Sequence, residues 1–166
     1  MKAASKNEIK QELTDRMPTD EEFMTIFKSY ETQNGEIAKY ILTKIYQPEI
    51  RDLQINQNEL HWEHIIPKKY INDKDYWEKI ENELKDESSE TLLKDMIDRL
   101  WNFTLLLPTD NIKVSNYWFP IKKEKAYLLS SIPENKRLCS LDHFWIIEVN
   151  LRQEKFSNQA IEIWKL

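Results

Sequence analysis

Apolar positions in the early part of the chain recur at helical spacing. Phe23, Ile26, Phe27 and Tyr30 fall on one face, and Thr19 followed by Asp20, Glu21 and Glu22 offers a capping oxygen and early acids. The spacing predicts a helix to about Tyr30. Asn34-Gly35 interrupts it, and Ile37, Tyr40, Ile41, Leu42 and Ile45 form a second stripe. Pro48 is expected to end that stripe, because proline lacks an amide donor and crowds the preceding turn. Both stripes read as core. The pattern changes at His61-Trp62-Glu63-His64-Ile65-Ile66-Pro67, a short apolar run closed by proline that reads as a strand. Beyond it, Tyr76, Trp77, Ile80 and Leu84 share a helical face, and a further helix starts near Ser89 with Leu92, Leu93, Met96, Ile97 and Leu100 as its stripe. Trp101 to Leu107 reads as a second strand, with a turn at Pro108 and a helix start at Thr109 or Asp110. Pro120 is expected to open a helix to about Ser130 with Lys122, Lys123 and Lys125 exposed, and Pro133 to sit in a loop. Ser140 or Asp142 then caps a long last helix, Phe144 to Trp164.

These elements predict an α+β, mostly helical chain in which a short two-stranded hairpin is embedded in a helical bundle. Residues 1–18 read as a leader or linker tail, and 19–166 as one domain. Within it, 19–58 is helical, 59–67 the first strand, 73–100 a helical insertion, 101–118 the second strand and a following helix, and 119–166 the C-terminal helices. A length of 166 residues suits one ordinary core.

Composition narrows the chemistry. The single glycine, Gly35, leaves almost nothing for glycine-rich phosphate loops or tight primed hairpins. One cysteine, Cys139, permits neither an internal disulfide nor a cysteine zinc site, and is expected to be an ordinary buried thiol. No run approaches membrane-spanning length and the first ten residues lack a signal peptide's apolar core, so a cytoplasmic location with no membrane partner is the default expectation. The net charge of −5 argues against a polyanion ligand, yet the charge is segregated. Ten acids face four bases between Asp73 and Asp98, whereas Trp101 to Cys139 carries six bases against three acids. The acidic stretch reads as solvated surface.

Hydrolysis of a phosphodiester needs an activated water and a clamp for the developing charge. His64, with a side chain that titrates near neutrality, is the candidate general base. Glu63 and Asn111 are the candidate metal ligands, since Mg²⁺ takes oxygen donors, keeps several waters and so needs few protein ligands. Asn102 is expected to hydrogen-bond the histidine, at its far ring nitrogen or its backbone, and so fix its tautomer. Adjacent residues of an ideal strand point to opposite faces, so His61, on the face of Glu63, is a rival ligand. His143, beside a cap, is expected to be structural.

Glu63-His64-Ile65-Ile66-Pro67, Asn102-Phe103-Thr104-Leu105-Leu106, Asn111, Ser115-Asn116 and Phe119 with Lys122 together resemble the HNH (His-Me finger, ββα-metal) nuclease domain at the C-terminal end of GmrSD-type and SspE-type restriction proteins. The resemblance implies a ββα-metal core and a metal-dependent DNA endonuclease, with Mg²⁺ or Mn²⁺ as cofactor and duplex DNA as partner, working in restriction or anti-phage defence. It further implies that Asn116 and Lys122 are site or phosphate contacts, and that an N-terminal ParB-like sensing or NTPase module, or a separate subunit, completes the system. Glu63 stands where many such nucleases have aspartate, and Trp101 where relatives commonly have glycine, an indole expected to crowd Asn102. The competing expectation is a catalytically inactive helical protein- or DNA-binding module on the same scaffold. RNA is a further candidate substrate.

Overall fold

The computed structural model describes residues 17–53, 55–73, 75, 89–114 and 116–164. The expected helix carrying Tyr76, Trp77, Ile80 and Leu84 lies outside the described residues, as do the leader before Met17 and the side chains of Ser89 and Leu92. Helix α1 (Asp20–Lys28) begins with reciprocal caps: Glu22 N–H donates to Thr19 Oγ1 at 3.2 Å, and Thr19 N–H to the Glu22 carboxylate at 2.8 Å. Helix α2 (Gly35–Ile50) is capped by Asn34, whose side-chain oxygen accepts from the amides of Glu36 and Ile37. Pro48 does not end it. The proline lies in the last turn and forgoes a bond to the Lys44 carbonyl, and buried Tyr46 and Ile50 hold that turn against the core in spite of it.

Strand β1 (His61–His64) pairs antiparallel with β2 (Phe103–Leu106), and Glu63 faces Thr104 while His64 faces Phe103. The helix α3 (Ser89–Met96) precedes β2, and α4 (Pro108–Val114) follows it directly. The order strand, strand, helix is thus the one expected, inside a mostly helical chain. Helix α5 (Phe119–Lys125) gives way to a 3-10 turn at Tyr127–Leu129 before Ser130 is reached. Helix α6 (Pro133–Leu138) starts on the proline expected in a loop, a first-turn position that loses no hydrogen bond. The last helix, α7 (Ile146–Ile163), is opened by Glu148, which accepts from the Trp145 amide at 2.8 Å, rather than by Ser140 or Asp142.

Trp101 is fully buried and does not crowd the hairpin. Its indole packs edge-on against Phe27 at 5.1 Å and beside Phe156 at 5.8 Å, and Nε1 donates to the Lys28 carbonyl at 2.8 Å. An aromatic group pinned by its one donor belongs to the core. Strand β2 is buried along its whole length, and α7 reaches it through Arg152. The guanidinium donates to the carbonyls of Trp101 (3.0 Å) and Phe103 (2.9 Å), and pairs with Glu134. Glu134 also takes Arg137 and Lys155. Asn135 completes the polar layer: its amide donates to the Leu105 carbonyl at 2.8 Å, and Thr104 donates to its oxygen.

The only glycine of the chain marks a close approach. A Cβ at Gly35 would come within 1.9 Å of Trp62 Nε1, so the indole lies directly on the start of α2.

Two outcomes follow from this packing. Gly35→Ala should lower stability by about 1–3 kcal/mol in a urea melt, because the added methyl would push the Trp62 indole off its packing against Phe103 and His64. Burial raises the Glu134 carboxyl, but Arg152, Lys155 and Arg137 outweigh it and hold the group below its ordinary value. A depressed carboxylate stabilises the fold above its unfolded pKa and loses that contribution as pH falls through the folded one. Glu134→Gln should therefore cost about 3–5 kcal/mol at pH 7, by leaving Arg152 buried without its counter-charge, and should flatten the acid limb of the stability curve.

Candidate functional site

The chain leaving β1 is fixed by Asn102. Ile65 N–H donates to the Asn102 carbonyl at 2.8 Å and Ile66 N–H to its Oδ1 at 2.9 Å; Nδ2 donates to the carbonyls of Ile66 (3.0 Å) and Ile97 (2.9 Å). The residue is fully buried, and its amide is satisfied at both ends. Of the two contacts expected of Asn102, the one with the His64 ring nitrogen is not made, and Nε2 faces Asp98 instead. Asn102 holds the main chain on which His64 sits, because two buried amide and carbonyl groups of the β1 exit have greater need of partners than a part-exposed imidazole.

The His64 ring meets Phe103 edge-on at 4.5 Å and Trp62 at 5.0 Å. Its Nε2 lies 3.3 Å from Asp98 Oδ1. Burial lowers its pKa to about 4; Asp98 opposes that fall, while Lys68 and Lys122 add to it. The ring is neutral at pH 7 and able to accept a proton. Asp98 itself is held by Lys68 Nζ, 2.7 Å from Oδ1, and by Gln33, 3.0 Å from Oδ2. Sequence reasoning assigned Asp98 to a solvated acidic face. It is the last acid of that stretch, 34 positions from His64, and no local pattern connects the two.

Glu63 points to the other face of the strand. Its Oε1 accepts from Lys122 Nζ, which also donates to the His64 main-chain carbonyl. Lys122, expected on an exposed helix face as a phosphate contact, is instead fully buried beneath β1. Helix α5 turns this residue inward, because Phe119, three positions earlier on the same face, packs against Phe144 and Tyr127. Burial pushes the Glu63 carboxyl up and the Lys122 ammonium down, each opposed by the charge of the other.

Glu63 and His64 nevertheless share one opening. A cleft of about 570 Å³ runs along β1, and His61, Glu63, His64 and Asn111 all line it, with Glu36 and Lys39 contributed by α2. Of the predicted set, then, the fold brings Glu63, His64, Asn111 and His61 together. Asn102 stands behind them, Lys122 beneath them, and Asn116 is exposed in the turn before α5 without lining the cleft. His143 is exposed beside Glu148, away from this region.

Asn111 Oδ1 is buried and has no hydrogen-bond partner among the described residues. An oxygen so placed costs about 1–3 kcal/mol unless something fills its lone pairs, so it is a site for a donor or a cation. Among the described residues no three His, Cys, Asp or Glu side chains are grouped to hold a metal. A hard cation that keeps most of its waters needs fewer: the Asn111 amide oxygen and the Glu63 carboxylate, whose Oε1 alone is taken by Lys122, fit such a pair.

Among the described residues no helix is long and apolar enough to cross a membrane. Comparison with curated proteins and with solved structures returns no match. The model of a protein family, the C-terminal domain of GmrSD restriction endonucleases, matches residues 17–161 and so takes in every element described above except the last two residues of α7. The chain therefore belongs to the family of GmrSD restriction endonuclease C-terminal domains.

Proposed function

We propose that this chain is an HNH endonuclease that cuts duplex DNA with the help of Mg²⁺ or Mn²⁺, and that it serves as the cutting part of a restriction or anti-phage defence system. The observation that carries the reading is the shared cleft: a neutral imidazole and a carboxylate from the end of β1, and a buried amide oxygen from α4, open onto one space. In this reading His64 is the catalytic residue. It takes the proton of the attacking water, and its ring is uncharged beforehand because burial keeps it so. Glu63 and Asn111 hold the cation, which when bound supplies positive charge for the crowded phosphate and the departing oxygen. Asn102 holds the main chain that leaves β1, and with it the strand end that carries His64. Lys122 opposes the rise that burial imposes on the Glu63 carboxyl and holds that side chain by its Oε1. Recognition of the DNA to be cut is assigned to an N-terminal ParB-like sensing module or a separate subunit.

A second reading has its own observation. Lys122 already neutralises Glu63, as expected of a scaffold that binds nucleic acid or protein without cutting. The two readings differ in their response to substitution. On the nuclease reading, His64→Ala lowers plasmid nicking with Mn²⁺ by at least about 100-fold. Asn111→Ala weakens Mn²⁺ binding in calorimetry yet leaves the metal-free protein no less stable, because the oxygen removed had no partner among the described residues. Nicking that survives His64→Ala, or an absence of Mn²⁺ binding by the unsubstituted chain, would support the non-cutting scaffold instead.

A further inference from the structure

Asp98 stands behind the His64 ring and is not among the described residues that line the cleft. Its two oxygens accept only from donors: Lys68 Nζ reaches Oδ1 at 2.7 Å and Oδ2 at 2.9 Å, and Gln33 Nε2 reaches Oδ2 at 3.0 Å. Its main chain is anchored as well, since the Thr32 amide donates to the Asp98 carbonyl at 3.0 Å and Glu31 bridges to Arg99. The carboxylate is thus fixed from three directions before it meets the imidazole. An ionised carboxylate is an acceptor and nothing else, so the ring nitrogen facing it must carry a hydrogen.

We propose that Asp98 is a positioning residue that holds His64 as the Nε2–H tautomer and leaves Nδ1 as the nitrogen with the free lone pair. Resting on the nuclease reading, the proposal assigns Nδ1 as the atom that takes the water's proton. The clamp on Asp98 gives the idea a specific consequence. In Asp98→Asn, Lys68 and Gln33 still require an acceptor and claim the amide oxygen, which turns the amide NH₂ toward His64. Nε2 then has to accept, and the proton moves to Nδ1, the wrong nitrogen for a base. Asp98→Ala removes the bias without reversing it.

The test is a long-range ¹H–¹⁵N correlation spectrum of the full chain at pH 7.5, with His64 assigned by its loss in His64→Ala among the three histidines. Unsubstituted protein should show His64 as Nε2–H, and Asp98→Asn should shift it toward Nδ1–H. Nicking should fall by about 10–100-fold in kcat, with KM for DNA little changed. Asp98→Glu should recover part of the loss. An Nδ1–H histidine in the unsubstituted chain overturns the proposal without any variant having to fold, and so does a tautomer unmoved in Asp98→Asn. Failure of the nuclease reading is separately visible, as nicking that persists in His64→Ala while the tautomer behaves as stated.

Discussion

The structure depends on the hydrogen bonds between Asn102 and the chain leaving β1. A two-stranded hairpin is marginal alone, and the residues after His64 would be free to move were their amides not taken. Asn102 uses its main-chain carbonyl, its side-chain oxygen and both amide hydrogens in one stroke, and it does so at full burial, where an unmade bond is most expensive. The 3-10 turn that carries it is in turn fixed by Arg152 at the Trp101 carbonyl and by the Trp101 indole at Lys28. A guanidinium buried in α7 and a capped first helix thereby determine where an imidazole in the middle of the chain sits.

Above this support the site is divided by the pleat of β1. On one face His64 leans on Phe103 and Trp62, with Asp98 at its back; on the other Glu63 closes on Lys122. Neither carboxylate is idle, and each has its own ammonium, Lys68 for Asp98 and Lys122 for Glu63. Of the described groups around the cleft, the Asn111 amide oxygen is the one left buried without a partner. Its cost is a standing bias toward taking up a ligand.

Much of this was legible in the sequence where function and local pattern coincide. Glu63-His64 followed by Ile65-Ile66-Pro67, and Asn102 followed by Asn111, occupy a strand end, a strand start and the next helix, so their order alone places them near one another. The helices before β1 were readable from their stripes and caps. What was not legible depends on the register of distant packing. Lys122 sits in a basic run that looks solvated, and only the inward turn of Phe119 shows that its ammonium lies under the strand. Asp98 belongs by composition to an acidic surface, and its partners Lys68, Gln33 and His64 come from two other parts of the chain. Pro133 was misplaced because proline suits a loop and the first turn of a helix equally, and Pro48 because buried Tyr46 and Ile50 carry the last turn of α2 past a residue that ordinarily stops a helix. Trp101 looked like an obstruction only because its sequence neighbour is Asn102; one residue on, the chain has turned and the indole faces the core.

The most direct measurement of the central claim, that the carboxylate of Glu63 and the amide of Asn111 converge on a cation beside His64, is anomalous diffraction from a crystal of this chain soaked in Mn²⁺. A single peak within coordination distance of a Glu63 oxygen and Asn111 Oδ1, with the His64 ring across the cleft and Lys122 still beneath the strand, is the predicted result. A peak elsewhere, or none, with Glu63 closed on Lys122 and Asn111 Oδ1 met only by water, would contradict it.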